Sequence, residues 1–376
     1  MREASYAIHA DRYNWKYAWF GEHHGLAEYS HMSAPEVIIG YVAGQTERIH
    51  LGTGITSLPT TKEHPVRIAE RAAMMDHITE GRYEFGTGRG AGSHELMSFN
   101  TRPDETKAMW NEVIREIPRM WEQLDYEFVG DHFTVPTPHN ILPKPHGDGH
   151  PAIWVACGNP ATFETAGAAG IGAIAFNFDP APSLKPRIDS YKEAAADPTE
   201  IIGQFQNNNV MMTNSVICLE DRDRAREIAR GVGRGYLVSM VALYHDTIPR
   251  KAGFPVWPDP PFDLTAIDDA ALDHLIDGGY MMCGTPDEVA EQIVAYEQVG
   301  CDQLVFGMPV EGMQPDEVLE TLELFGGKII PEFDKDPQHS TARYRATAER
   351  KYPDFAGTPP TVTVDVLPES ALLPLP

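Results

Sequence analysis

Short apolar strands alternate with amphipathic helices through most of this chain, and this alternation restricts its fold more than any other feature. Seven segments have the length and apolar character of buried strands: 17–22, 49–56, 83–87, 152–156, 171–176, 210–218 and 302–307. Helical patterns follow them, as in "VRIAERAAMMDHI" after the second strand. Strands and helices that alternate in this way form a parallel sheet with helices on its faces, so an α/β fold is predicted.

The number of strands is one short of a closed α/β barrel, which has eight. The missing strand belongs at the start, because residues 1–16 read as the end of a helix with no strand before it. Two explanations stay open: translation starts upstream of Met1, or another segment closes the barrel. The segment "TVTVDV" (361–366) has the alternation of a strand and is the candidate for that second role.

The length of 376 residues is normal for one α/β barrel with insertions. Residues 1–335 are predicted to form the barrel. An insertion is expected at about 245–280, after the seventh barrel strand, where Pro and aromatic residues are frequent. Residues 336–376 are rich in charge, Pro and small residues, and are expected to form a C-terminal surface tail or to reach a second subunit.

Charge and composition exclude several classes of function. The 55 acidic and 30 basic residues give a net charge of −25, which repels phosphate backbones, so nucleic-acid binding is not expected. No run of 18 apolar residues and no secretory leader is found, so neither a membrane span nor export is expected. Four scattered cysteines match no metal or redox spacing, which predicts reduced thiols, no metal site and a cytoplasmic location.

Polar residues follow the carboxyl ends of several predicted strands, and sites in α/β proteins form at that edge. The residues at these positions are Glu22, His23 and His24, then Thr53, Gly54, Thr56 and Ser57, then Thr87, Gly88 and Arg89, then Cys157, Gly158 and Asn159, then Asn177, and finally Gly307 and Met308. Their convergence on one rim predicts a binding or catalytic site there.

The stretch "WFGEHHG" contains Glu22, His23 and His24 in succession. Adjacent histidines in extended structure point to opposite faces, so these two do not readily share one metal ion. A histidine that moves a proton or stabilises developing charge fits better, because its pKa lies near working pH. A hydrogen-bonded structural histidine is the alternative that this stretch alone leaves open.

Two glycine-containing turns are candidates for binding a phosphate. "GTGRGA" (86–91) matches a dinucleotide fingerprint, but no helix opens directly after it, so that interpretation is rejected. It remains either a phosphate-binding loop with one cation, Arg89, or a turn with a solvated arginine. In "ACGNPAT" (156–162), the amides before the next helix can bind an anion, and ordinary capping by Asn159 is the alternative.

Four stretches together resemble the bacterial luciferase-like flavin-dependent monooxygenases. They are "WFGEHH", "ERIHLGTGITSLPTTKEHPVRIAERAAMMDHITEGRYEFGTGRG", "AIWVACGNPATFETAGAAGIG" and "GTPDEVAEQIVAYEQVGCDQLVFG", within roughly 17–326. The resemblance implies a TIM (β/α)8 barrel of the luciferase-like type, here without its first strand and with an insertion after the seventh. It also implies reduced FMN, supplied by a separate flavin reductase, which reacts with dioxygen to give a flavin peroxide that oxidises a small to medium apolar carbonyl or related substrate. A homodimer or heterodimer is implied too.

The resemblance also assigns roles to single residues. His23 corresponds to the catalytic histidine, with Glu22 orienting it, while Arg89 and Lys107 correspond to cations that bind the FMN phosphate. The remaining cofactor-binding positions that it implies are Thr53, Gly54, Ile55, Cys157, Gly158, Asn159 and Thr162. The Gly54–Ile55 bond falls where the family has a cis peptide under the flavin ring. The sequence departs from the family at Gly158 and Asn159, where serines are common, and in "LPTTKEHP", which is two residues longer.

Two other functions remain possible on the same barrel. One is a deazaflavin-dependent oxidoreductase, because related barrels transfer hydride with that cofactor. The other is a non-catalytic flavin-binding partner subunit, against which the intact "EHH" argues.

Overall fold

The computed structural model describes residues 2–25, 30–90, 92–175, 179–232, 269–307 and 312–349. Most of the predicted insertion and the segment 361–366 lie outside these ranges, as do Asn177 and Met308. The helices are α1 (Arg2–Ala10), α2 (Pro35–Ala43), α3 (Pro65–Ile78), α4 (Ser93–Ser98), α5 (Thr106–Glu122), α6 (Pro160–Ala168), α7 (Ala181–Ala196), α8 (Arg222–Val232), α9 (Asp269–Asp277), α10 (Pro286–Gln298), α11 (Pro315–Leu324), a π-helical turn (Phe325–Ile329), α12 (Ile330–Phe333) and α13 (Ser340–Arg345). The strands are β1 (Tyr17–Phe20), β2 (His50–Thr53), β3 (Thr56–Ser57), β4 (Tyr83–Gly88), β5 (Tyr126–Val129), β6 (Thr134–His139), β7 (Ala152–Cys157), β8 (Gly172–Ala175), β9 (Val210–Cys218), β10 (Met282–Gly284) and β11 (Gln303–Gly307).

A parallel sheet runs in the order β1-β2-β4-β7-β8-β9, with β3 beside the end of β4. β11 pairs with the amino-terminal half of β9 and β10 with its carboxyl-terminal end. The predicted α/β class is confirmed, and all seven predicted strands are present. β10 was not predicted, because a strand of three residues has no measurable alternation.

Two apolar clusters fix the layers of the fold. The larger cluster fills the space between the strands and the surrounding helices. The smaller one lies inside the barrel, where Trp154, Ile174 and Met211 are buried and Trp19, Ile55 and Val305 pack on them. Strands buried on both faces need apolar residues at successive positions, which accounts for runs such as "AIWVAC" in β7.

Helix starts follow the predicted capping residues. Thr285 caps α10 in a reciprocal capping box with Glu288, and Pro286 occupies the first helical position. The α3 helix begins at Pro65, and the ring of His64 accepts the amide hydrogen of Val66. β5 and β6 form a separate antiparallel hairpin.

Residues 334–349 pack across the amino-terminal ends of the strands. Thr341 is 1% exposed and donates to Glu84 Oε1 at 2.5 Å. Arg345 forms a bidentate ion pair with Asp76, whose side chain is fully buried, with both N–O distances at 2.8 Å. The start of the segment that we expected to be a surface tail is therefore packed against the barrel, because it supplies partners for these buried carboxylates.

The described sheet is not closed. Within the described residues β1 pairs only with β2, and β11 pairs only with β9. A cavity of about 790 Å³ separates the two edge strands. In the described part of the chain, no helix is both long and apolar enough for a membrane span.

Candidate active site

The predicted rim is formed by the loops that follow β1, β2, β4 and β7. The register pairs Phe20 with Thr53, and Thr87 with Val155, so β1 ends level with β2, and β4 ends within a residue of the level of β7. His23 follows β1, and the peptide bond between Gly54 and Ile55, after β2, is cis, as the resemblance implied. Arg89 follows β4. These elements bring most of the sequence-predicted site residues to one edge of the sheet.

His23 is held by its backbone and by a carboxylate. Its amide donates to the carbonyl of Met32 at 2.9 Å, and its Nδ1 lies 3.1 Å from Glu95 Oε1. Glu95 comes from the short helix α4, and its second oxygen accepts the amide hydrogen of His24 at 2.8 Å. A proton on Nδ1 that is shared with Glu95 selects the tautomer in which Nε2 is the basic atom.

Glu22 contacts the ring of His24. Its Oε1 lies 2.8 Å from His24 Nε2, and its Oε2 accepts the amide hydrogen of Ser57 at 3.3 Å. Residues i and i+2 of an extended segment share a face, whereas neighbours point apart. We expected Glu22 to orient His23; the structure places the carboxylate of Glu95 at the His23 ring and that of Glu22 at the His24 ring.

Lys62 completes the charges around Glu22. Its ammonium group contacts Glu22 Oε1, and its side chain is only 12% exposed. Burial lowers the pKa of Lys62 to about 8, and burial also lowers the pKa of His24. Lys62 lies in "LPTTKEHP", the loop after β3. This loop thus carries a cation to the acid beside the two histidines.

Two cations lie on the opposite part of the rim. Arg89 is exposed after β4, and Lys107 is exposed in the first turn of α5. Neither side chain forms an ion pair with another residue that the structure describes. The β4–β7 register puts Arg89 beside Cys157 and the turn into α6. Two exposed cations and a helix amino terminus together favour an anion.

The turn into α6 is capped, and its surface is open. Asn159 Oδ1 accepts from the amide and the hydroxyl of Thr162, both at 3.2 Å, which confirms ordinary capping at this position. Gly158 has no atom within 4 Å of the place that a Cβ would occupy. An anion can therefore approach the backbone here, while the Thr162 amide is engaged with Asn159.

Two predicted cofactor-binding residues direct their side chains away from the rim. Cys157 is buried in the outer apolar cluster, where burial raises its pKa far above the ordinary range. Thr53 is 2% exposed and donates to the carbonyl of Gly86 at 2.9 Å. Each of these residues can reach a cofactor only through its backbone.

The floor of the site is apolar and tightly packed. Ile55 rests on the interior cluster beside Trp154, and a Cβ at Gly88 would lie 2.6 Å from Ile55 Cδ1. The absence of a side chain at Gly88 is what lets Ile55 lie flat against β4. An apolar floor between a histidine and an anion-binding turn fits a cofactor with a flat ring and a phosphate, such as FMN.

Comparison with known proteins identifies the family. A family model described as luciferase-like monooxygenase matches residues 2–303. The chain belongs to the luciferase-like monooxygenase family. It is therefore an oxidoreductase of a flavin-dependent family, and the resemblance read from its sequence is confirmed.

Curated relatives match either most of the chain or less than half of it. The alkanal monooxygenase alpha chain of Photorhabdus luminescens is 25% identical over 334 residues, which cover 86% of this chain and 88% of the relative. The oxygenase component of the flavin-dependent trigonelline monooxygenase of Acinetobacter baylyi is 34% identical over 159 residues, 42% of this chain and 43% of the relative.

Two solved structures have a similar fold. The oxygenating constituent of 3,6-diketocamphane monooxygenase from Pseudomonas putida, in complex with FMN, has a TM-score of 0.71 at 20% identity and covers 88% of this chain and 92% of its own. The coenzyme F420-dependent tetrahydromethanopterin reductase of Methanopyrus kandleri has a TM-score of 0.64 at 17% identity and covers 88% and 95%. The predicted luciferase-like TIM barrel is thereby confirmed.

Two residues of the site were not predicted from the sequence. Glu95 lies in "AGSHELMSFNTRP", which we interpreted as a loop, because a helix of six residues is too short to show periodicity. Lys62 lies in the loop "LPTTKEHP", whose length drew attention but whose sequence does not show which acid Lys62 contacts. The sequence shows only that Glu95 is an acid six residues after Arg89, on the same connection between β4 and α5.

Proposed function

We propose that this enzyme uses reduced FMN and dioxygen to oxidise a small to medium apolar carbonyl or a related organic compound. The observation that carries this proposal is the position of His23, whose Nδ1 is held 3.1 Å from Glu95 beside the cis Gly54–Ile55 peptide. A histidine that is fixed in one tautomer next to an apolar floor can hold a hydrogen bond to a reacting oxygen.

The residues that would hold FMN follow from the two ends of the site. The ring would rest on Ile55 and the backbone of Thr53 and Gly54, and the phosphate would meet Arg89, Lys107 and the turn at Gly158. Bound reduced FMN supplies the electrons that activate dioxygen. His23 would keep a proton or hydrogen bond at the oxygen, and Glu95 would keep His23 in place.

The apolar floor supports the choice of substrate. Trp19, Ile55 and Val305 are partly buried around the buried Trp154 and Met211, so they offer contact to a hydrocarbon body rather than to a charged one. The identity of the substrate would be set by the loops at 57–64, 91–103 and 245–280. The last of these lies mostly outside the described residues.

A flavin reductase is the partner that fits this chemistry. The relative from Acinetobacter baylyi is named the oxygenase component of a flavin-dependent monooxygenase, which supports a separate source of reduced flavin for this chain as well. A homodimeric or heterodimeric assembly in the cytoplasm, without membrane association, belongs to the same proposal.

A deazaflavin-dependent oxidoreductase is the second candidate, and the fold shared with an F420-dependent reductase supports it. Both cofactors offer a flat ring and a phosphate to the same rim. Anaerobic titration with each reduced cofactor separates the two candidates, because the enzyme is expected to bind FMN at least about tenfold more tightly.

Rapid mixing tests the main proposal. The protein is loaded anaerobically with reduced FMN and mixed with oxygenated buffer, and the flavin absorbance is followed through reoxidation. A transient absorbance that outlasts that of free flavin, and that shortens when a carbonyl substrate is added, is expected. Reoxidation of demonstrably bound FMN at the rate of free flavin, without a transient, would contradict the proposal.

A further inference from the structure

Two adjacent histidines at the rim each lie against a carboxylate. Glu95 Oε1 is 3.1 Å from His23 Nδ1, and Glu22 Oε1 is 2.8 Å from His24 Nε2. Both histidine side chains are 19% exposed, and both carboxylates are largely buried. Contact and burial are therefore similar in the two pairs and do not by themselves determine which ring exchanges protons.

Lys62 distinguishes the two pairs. Its ammonium group contacts Glu22 Oε1, which is the same oxygen that faces His24. Among the residues that the structure describes, no lysine or arginine lies within ion-pair distance of Glu95. The negative charge of Glu22 is therefore compensated at the point where it meets His24. The charge of Glu95 meets the ring of His23 without such compensation.

The loop that carries Lys62 is held by contacts on either side of it. Thr61 Oγ1 lies 2.5 Å from Thr101 Oγ1, and Glu63 forms a bidentate ion pair with Arg71 in which both N–O distances are 2.6 Å. Neither contact involves the side chain of Lys62. A substitution at this position can therefore remove the ammonium group while the loop stays attached to the barrel.

Lys62 is protonated at neutral pH in spite of its burial. Burial lowers its pKa to about 8, which is still above neutral pH. Glu63 of the same loop and Glu95 of α4 favour the charged form, and Arg71 of α3 opposes it. Because Arg71 is paired with Glu63, their effects on Lys62 partly offset each other. The ammonium group is therefore available to compensate the charge of Glu22.

His24 is neutral under the same conditions. Burial is the largest influence and lowers its pKa, whereas Glu95 and Glu36 raise it and His23 lowers it. The carboxylate of Glu36, on α2, is itself 3.6 Å from the guanidinium group of Arg71. A neutral ring that carries its proton on Nε2 donates a hydrogen bond to the facing carboxylate, whose charge is already compensated.

We propose that Lys62 is a positioning residue that acts through Glu22 to keep His24 neutral. Proton exchange at the site is thereby left to His23. This inference rests on the proposed function, in which His23 keeps a proton or hydrogen bond at the reacting oxygen. Without the ammonium group, the buried carboxylate would draw a proton onto His24, and the resulting imidazolium would oppose protonation of the adjacent ring.

Titration of the histidine rings in the cofactor-free protein tests the electrostatic step. The rings are labelled with carbon-13 at Cε1 and followed by NMR, and the signal of His24 is assigned as the one that is lost in His24→Gln. In Lys62→Met the titration midpoint of His24 is expected to rise by at least about one pH unit. Lys62→Gln should show the same rise, so the result does not depend on a single side chain.

Two variants control for the loss of charge. Lys62→Arg keeps a cation at the same place, so the midpoint of His24 should stay that of the unaltered protein. Lys185→Met removes an exposed lysine that is paired with Asp189, and it should also leave the midpoint unchanged. An unchanged midpoint in Lys62→Met, or an equal rise in Lys62→Arg, would overturn the proposal.

The pH dependence of the reaction tests the consequence for His23. With reduced FMN supplied, Lys62→Met is expected to match the unaltered enzyme in product per dioxygen at about pH 8, and to form at least about threefold less at about pH 6, with hydrogen peroxide in its place. A loss of the same size at both pH values would mean that Lys62 only shapes the site, and would overturn the proposal. If the unaltered enzyme forms no product, the proposed function fails, and the titration of His24 still decides the role of Lys62.

Discussion

Glu95 and His23 are 72 residues apart in the sequence and 3.1 Å apart at the rim, between Oε1 and Nδ1. The other oxygen of Glu95 accepts the amide hydrogen of His24 at 2.8 Å. One carboxylate therefore sets both the ring orientation of His23 and the course of the backbone behind it.

Glu95→Gln is expected to lower product formed per dioxygen consumed by about tenfold and to change FMN affinity by no more than about threefold. The amide side chain keeps the shape but loses the charge that holds the proton on Nδ1 of His23. Oxygen consumption and product are measured together, with Glu105→Gln, an exposed acid nearby, as the control. Equal loss in both variants would show that Glu95 does not position His23.

His23→Ala is expected to leave FMN binding within about twofold and to reduce product by about 100-fold, with more hydrogen peroxide released. The reason is that the histidine acts at the reacting oxygen and not at the cofactor phosphate. Flavin titration measures FMN binding, and a peroxide assay measures the release of hydrogen peroxide in place of product. His139→Ala, which removes an exposed histidine from the hairpin, should change neither, and an unchanged product yield in His23→Ala would refute its assigned role.

Arg89→Ala is expected to weaken FMN binding by about 10- to 100-fold and to leave riboflavin binding unchanged. A hydrogen bond to a charged group contributes about 1.5–3 kcal/mol to binding. Riboflavin has no phosphate, so it makes no such bond with Arg89 and its affinity should not change. Fluorescence titration with both flavins measures the difference. Arg102→Ala is the matched control, because that arginine is exposed and already paired with Asp104. Equal weakening for both flavins would place Arg89 away from the phosphate.

Arg345→Ala is expected to destabilise the fold by about 3–5 kcal/mol. The fully buried carboxylate of Asp76 would keep only the amide of His146 as a hydrogen-bond donor of those seen in the described structure. Urea unfolding measures the change. Arg67→Ala, which breaks an exposed pair with Glu70, should cost less than about 1 kcal/mol. A similar small effect for Arg345→Ala would show that water replaces the guanidinium.

Acid destabilisation should involve His339, which stacks on His50 with ring centres 3.7 Å apart. Burial lowers the pKa of each ring to about 3. Below pH 6.5, therefore, these two histidines bind protons in the unfolded chain but stay neutral in the folded chain. Stability therefore falls as pH drops from 6.5 toward 3, by about 1.4 kcal/mol per ring at pH 5.5. Burial raises the pKa of Glu84 to about 7, which acts in the opposite direction.

The contribution of His339 is isolated by His339→Gln, because Glu84 and His50 titrate in both proteins. The amide of Gln keeps a donor for the Lys16 carbonyl, to which His339 Nε2 bonds at 2.8 Å. Urea unfolding at pH 7.5 and 5.5 should show a stability loss about 1 kcal/mol smaller in the variant. An identical loss in both proteins would mean that His339 is protonated in the folded state.

The sequence predicted those parts of the fold that repeat a pattern over many residues. Strands such as β7 and β9 are apolar runs bounded by turns, and α10 begins with a capping box that is readable from Thr285 and Glu288 alone. The rim was predictable for the same reason, since parallel strands put their carboxyl ends at one edge. Local patterns and a repeated topology were therefore enough to predict that His23 and Arg89 follow the carboxyl ends of β1 and β4.

The missed features depend on contacts between distant segments. Glu95 acquires its role only when α4 folds over the loop after β1, and Lys62 acquires its role only when its loop reaches Glu22. Arg345 looked like part of a charged surface tail, because nothing near it in the sequence shows that Asp76 is buried 269 residues earlier. Pairings of this kind have no local signal.

The connection from β4 to α5 carries both Arg89 and, six residues later, Glu95. A phosphate bound to Arg89 therefore restrains the same short segment whose Glu95 contacts the imidazole of His23. Under the proposed function the two sites are thermodynamically linked, and this linkage is reciprocal. Any change that fixes the orientation of His23 through Glu95 should alter the affinity for the phosphate by the same factor as phosphate binding alters that orientation.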